Sequence, residues 1–199
     1  DKIKILPIRV TGHVDEDSEE KEKLLIKSPA RRIANGIFYA ITMGVDVINL
    51  SLGWPKSMDT KFMRQTIAEA IKKNIIVVAA AGNDNSTAST YPCNYYDVIC
   101  VGSIGNDGQV SSFSNFGGQV DILAPGNQIV STYPINFIPI KLNIKGYDTL
   151  SGTSQAAPFV SATAALLKGV YPDISYGDLQ YKLFNSLRSR VNPLKSNGG

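Results

Sequence analysis

A doubly wound α/β fold, a mostly parallel sheet flanked by helices, is what this sequence predicts, and three observations carry the prediction. Residues 4–10, 45–51 and 74–81 are short runs rich in Ile and Val. Each is apolar enough to be buried on both faces, as strands of a parallel sheet are. The stretches between them repeat apolar residues every four positions: Ile33, Ile37 and Ile41 in the first, Ile67 and Ile71 in the second, with Phe62, Met63, Ala68 and Ala70 filling the same flank. Strand and helix patterns therefore alternate, the order of βαβ units.

Further along, residues 98–104 and 120–123 extend the list of strands, and 137–150 reads as either a hairpin or a long excursion before the next helix. That helix, 154–170, carries Ala156, Ala157, Val160, Ala162, Ala164, Ala165, Leu166 and Leu167. Hardly any polar face is left, so it is expected to be central and buried on all sides. A last amphipathic helix over 175–187 precedes a small polar end, Ser196-Asn197-Gly198-Gly199. The stretch 12–27 sets Asp15, Glu16, Asp17, Glu19, Glu20 and Glu22 against Lys21, Lys23 and Lys27. Its carboxylates lack the fixed spacing of a calcium loop, so it reads as a solvated surface insertion.

The chain has 199 residues, 43% hydrophobic and 19% charged, which suits one globular domain spanning 1–199. Its net charge of +3 is spread along the sequence, so no phosphate-binding surface and no nucleic-acid partner are expected. No apolar run reaches the roughly 18–20 residues of a membrane span, and Asp1-Lys2-Ile3-Lys4 has no signal-peptide layout. Cys93 and Cys100 lack a second ligand pair, so no metal site and no cofactor are expected in this chain. They form either a short-loop disulfide in an oxidising compartment or two small buried hydrophobes elsewhere.

The chemistry concentrates at Ser151-Gly152-Thr153-Ser154-Gln155-Ala156-Ala157-Pro158. A serine after a glycine turn, in the first turn of a helix, exposes its hydroxyl where unpaired N–H groups and the helix dipole favour a developing oxyanion. The same position also suits an ordinary helix cap. The stretch resembles the active-serine motif of the subtilisin-like serine peptidases, Gly-Thr-Ser-Met-Ala-(Ala/Ser)-Pro-His-Val, at seven of nine positions, departing at Gln155 and Phe159. Upstream, Val77-Val78-Ala79-Ala80-Ala81-Gly82-Asn83 resembles the family strand that ends in an oxyanion-hole asparagine. Asp46-Val47-Ile48-Asn49-Leu50-Ser51-Leu52-Gly53 resembles the strand whose edge pairs with extended substrate. Tyr91-Pro92, 111–115 and 121–126 match further family stretches, the first of them often a cis bond in the family, so the resemblance runs from about residue 3 to 187.

The resemblance implies a serine endopeptidase acting on protein or peptide substrates. Ser154 is then the nucleophile and Asn83 an oxyanion donor. Ser51, Leu52 and Gly53 form the substrate-pairing edge, Ala80, Ala81 and Gly82 the opposite pocket wall, and Thr153 belongs to the substrate-binding set. It further implies a secreted protein, and calcium sites in the complete enzyme. In the family order Asp and His precede Ser, upstream of the strand at 4–10. The only histidine, His13, lies in the charged insertion without a His-Gly-Thr-His context, and Asp1, Asp15 and Asp17 fit the family aspartate no better. The chain is therefore expected to be the C-terminal portion of one catalytic domain, with a sheet incomplete at its N-terminal side and a triad completed by an upstream Asp/His-bearing segment. The alternative is a non-catalytic pseudopeptidase used as a peptide-binding or scaffold module.

Overall fold

The computed structural model describes residues 3–11, 28–134 and 146–185. Helix α1 (Pro29–Thr42) opens with a proline in its first turn, where the missing N–H costs nothing, and turns Ala34, Ile37, Ala40 and Ile41 inward. Strand β1 (Val47–Leu50) follows, then a short strand β2 (Trp54–Pro55). Helix α2 (Lys61–Lys72) is capped by Thr60, whose hydroxyl accepts the Met63 N–H at 3.2 Å. Strand β3 (Ile76–Ala80) is buried at every residue. After β4 (Thr90–Tyr91), which pairs with β2, come β5 (Ile99–Ile104) and β6 (Ile122–Pro125).

The main sheet has the order β1-β3-β5-β6, and every neighbouring pair is parallel. Because side chains alternate along a strand, β3 feeds two separate cores. Val77 and Ala79 pack with Ile37, Ile41, Ile67 and Ala70 of α1 and α2. Ile76, Val78 and Ala80 pack with Ala156, Val160 and Ala164 of α3 (Thr153–Val170) and with Leu179 and Leu183 of α4 (Tyr176–Asn185). Helices thus cover both faces, as the alternating pattern predicts. Among the described helices none is long and apolar enough to cross a membrane.

The structure corrects the sequence reading at four places. Residues 4–10 form no strand: among the described residues they join no sheet, and Ile5 is 88% exposed. Ile8 and Val10 instead lean on α1 at Gly36, where a Cβ would stand 2.6 Å from Val10 Cγ1. Helix α3 is not buried all round. Ala156, Ala157, Val160, Ala164 and Lys168 face inward, whereas Phe159, Leu166 and Val170 are 45%, 60% and 68% exposed. The sheet covers one side of it, and among the described residues nothing covers the other. The strand expected at 120–123 is shifted to Ile122–Pro125, because Asp121 turns its carboxylate back to accept the Cys100 N–H at 2.8 Å. Finally, β8 (Tyr147–Leu150) pairs antiparallel with β7 (Ile129–Thr132), a strand outside the expected list, while 135–145 fall outside the described residues.

Cys93 and Cys100 form a disulfide, which ties the loop after the cis Tyr91-Pro92 bond to the buried strand β5.

Candidate active site

Three segments meet at the carboxyl end of the parallel sheet, where α/β folds place their ligands. Residues 51–53 leave β1, 81–83 leave β3, and Thr153 and Ser154 open α3. The loop before α3 must come close to β3: a Cβ on Gly152 would stand 2.7 Å from Gln155 Oε1 and 3.3 Å from Asn83 Nδ2. Glycine at 152 is what allows the helix N-terminus to reach Asn83.

Ser154 and Ser51 exchange hydrogen bonds. The Ser154 hydroxyl donates to the Ser51 carbonyl at 3.0 Å, and the Ser51 hydroxyl donates to the Ser154 carbonyl at 2.8 Å. At the surface beside them, Asn49 Nδ2 donates to Ser51 Oγ at 3.0 Å, and Ser161 Oγ donates to Asn49 Oδ1 at 2.8 Å. Strand β1 and helix α3 are thereby locked in register next to the serine. The Ser154 N–H lies in the first helical turn, where the helix offers its own donors no acceptor.

Asn83 is held by the other end of its amide. Its Oδ1 accepts the Thr153 N–H at 2.8 Å and the Thr153 hydroxyl at 3.0 Å. With the acceptor end doubly engaged, Nδ2 is the end left to donate outward. The Thr153 oxygen also accepts the Gly82 N–H at 3.1 Å. Thr153 is fully buried: it lies beneath the surface and orients Asn83.

The backbone around Ala81 is likewise committed inward. Its N–H donates to Val101 O at 2.9 Å, and its carbonyl accepts from Thr90 Oγ1 and Asn115 Nδ2, both at 2.9 Å. Ala80 and Ala81 are buried and the Gly82 carbonyl accepts the Asn115 N–H, so this side can shape a pocket without offering those groups to a ligand. On the facing side, Leu52 is half-buried and Gly53 lies against the Tyr91 carbonyl, 3.2 Å from where its Cβ would be. Ser51, Leu52, Gly53, Ala80, Ala81, Gly82, Asn83 and Ser154 therefore lie on the segments that converge at this end of the sheet. Asn49, Ser161 and Asn115 were missed as site residues, because each enters through a contact between segments distant in sequence.

No imidazole is present among the described residues; His13, Asp1, Asp15 and Asp17 lie outside them. Nor does any group of three His, Cys, Asp or Glu among the described residues form a cluster able to hold a metal ion. Asp121, beyond the site, has its carboxyl raised above the usual range by burial, against which the bond from the Cys100 N–H acts.

Residues 3–198 match the Subtilase family. Subtilisin DY of Bacillus licheniformis is 38% identical over 76% of this chain and 53% of its own length. Thermitase of Thermoactinomyces vulgaris is 43% identical over 68% of this chain and 44% of its length, and the major intracellular serine protease of Bacillus subtilis (strain 168) is 37% identical over 81% and 49%. Among solved structures, a cold adapted subtilisin-like serine proteinase superposes with a TM-score of 0.70 at 31% identity, over 85% of this chain and 58% of that one. A lanthipeptide protease superposes with a TM-score of 0.74 at 25% identity, over 82% and 60%. The chain spans about half the length of the curated relatives it matches.

Proposed function

Because the chain belongs to the subtilase family, we propose that it is the nucleophile-bearing portion of a serine endopeptidase that cleaves peptide bonds through an acyl-enzyme at Ser154. The observation that carries this reading is the Ser154–Asn83 pair. A hydroxyl at a helix N-terminus stands beside an amide whose oxygen is pinned by Thr153, so that its N–H faces outward. A module that only bound peptides would need neither group.

In this reading an extended peptide lies along 51–53 with one side chain against 80–82, and its carbonyl carbon meets Ser154 Oγ. As the C–O bond forms, charge collects on the former carbonyl oxygen, which accepts hydrogen bonds from Asn83 Nδ2 and from the Ser154 N–H. The Ser154 proton, directed at Ser51 O at rest, has to leave toward an imidazole, because a serine hydroxyl without a base is a weak nucleophile at neutral pH. An upstream Asp/His-bearing segment of the same protein is proposed to supply that base and its orienting carboxylate. No step is assigned to calcium. The Cys93–Cys100 disulfide supports a secreted protein working in an oxidising environment.

The test is labelling of Ser154 by a fluorophosphonate. The 199 residues alone are expected to react slowly or not at all, and the longer protein carrying the upstream segment to react rapidly and stoichiometrically. Fast labelling of the isolated chain would refute the requirement for an upstream base. A longer protein that folds but neither labels nor cleaves peptides would point to the pseudopeptidase.

A further inference from the structure

We propose that Asn115 is a positioning residue for the oxyanion donor, setting the backbone from which Asn83 projects; this rests on the role given to Asn83 above. Asn115 is 1% exposed, and three side-chain hydrogen bonds and its backbone N–H all go to the segment around Asn83. Its Oδ1 accepts the N–H of Asp84 at 2.9 Å and of Ser86 at 3.2 Å. Its Nδ2 donates to Ala81 O at 2.9 Å, and its own backbone N–H donates to Gly82 O at 2.9 Å. The peptides before and after Asn83 are therefore both held by one residue, the first through its backbone N–H and the second through its side chain.

Asn115 is itself fixed. Its carbonyl accepts the Ser114 hydroxyl at 2.9 Å, and that hydroxyl in turn accepts the Ser103 N–H of β5 at 2.9 Å. The turn is thus referenced to the sheet. The chain also makes room for the carboxamide: Gly82 has φ +106, and a Cβ there would collide with Asn115 Nδ2. Asn83 is then controlled from two directions. Thr153 sets which end of its amide points out, and Asn115 sets where its Cα stands. Only an asparagine-sized amide can accept two N–H groups on one side and donate to a carbonyl on the other; serine or alanine offers half of this or none.

An oxyanion donor acts through its distance to an atom that bears charge only in the transition state, so a displaced Asn83 lowers kcat and leaves KM. Displacements of about 1 Å at such sites cost up to about 10²-fold. In the complete enzyme, with active sites titrated, Asn115→Ala is expected to lower kcat by about 10- to 100-fold at unchanged KM. In an Asn83→Ala background the same change is expected to lower kcat no further, since the donor it positions is gone. Equal losses in both backgrounds, or a loss confined to KM, overturn the proposal while leaving the role of Asn83 intact. An Asn83→Ala enzyme with full kcat removes the oxyanion reading itself and the proposal with it.

Should Asn115→Ala not fold, Asn115→Asp keeps the shape and both acceptor bonds. Its protonated form can donate to Ala81 O, and its carboxylate opposes that carbonyl. The kcat of Asn115→Asp relative to the unsubstituted enzyme is therefore expected to rise as pH falls, and this dependence is expected to vanish in the Asn83→Ala background. A flat ratio, or a pH dependence that persists without Asn83, overturns the proposal.

Discussion

At the scale of single residues, the two groups with chemistry to do are restrained in different ways. Ser154 is tied through a reciprocal exchange with Ser51, whereas Asn83 has its oxygen fixed and its nitrogen free. Replacing Asn83 by Ala in the complete enzyme is expected to lower kcat by about 10²–10³-fold while KM hardly moves, as steady-state kinetics on a peptide substrate would show; the magnitude belongs to a subtilisin and is carried over by family membership. A second expectation concerns Asp121, whose carboxyl burial raises above its ordinary value. The unfolded chain then loses this proton at lower pH than the folded one, so stability falls as pH rises from below the unfolded value through the folded one. Asp121→Asn retains an acceptor for the Cys100 N–H without the ionisation, so it should raise the denaturant midpoint at pH 7 and bring no gain in strong acid. The places of Ser154 and Asn83 in the fold were legible in the sequence because one opens a helix and the other follows a strand. The orienting role of Thr153 was not, since it depends on meeting Asn83 across 70 residues, and neither was that of Asn115, which meets Asp84 across 31.

At the scale of elements, the strands at β1, β3 and β5 and the helices α1 and α2 were legible because apolar runs and four-residue repeats report burial directly. Residues 4–10 carry the same composition and form no strand, which shows what the pattern leaves out: a strand exists only where a neighbour accepts its backbone bonds. Helix α3 failed for a related reason, since eight apolar residues specify the capacity to be buried and not which sides are covered. The disulfide, left open by spacing alone, closes a loop over a sequence separation of 7 between the turn behind the pocket wall and β5. Loop-closure entropy for so short a ring is about 2–3 kcal/mol. The Cys93→Ala, Cys100→Ala double variant should lose stability of that order in denaturant titration, and reduction of the unsubstituted protein should reproduce the loss.

At the scale of the whole molecule, the family relatives are about twice as long as the part this chain matches, and the structure has surface to spare. Strand β1 ends the main sheet with no partner on its outer side among the described residues, and Phe159, Leu166 and Val170 stand out from α3. Unpaired strand edges and apolar patches of this kind promote association. The isolated chain should therefore bind a hydrophobic dye and self-associate in sedimentation, and co-expression with the proposed upstream segment should suppress both. A monomeric isolated chain that binds no dye would show that these surfaces are not an interface.

The sequence distances within the site also bear on time. Ser51 meets Ser154 across 103 residues and Asn83 meets Thr153 across 70, so no local stretch of chain holds both Ser154 and Asn83. Contacts between remote segments form after local ones, because loop closure must precede them. If Ser154 is the nucleophile proposed above, its reactivity depends on these remote contacts, so it is expected only once the core has closed and not in partly folded chains.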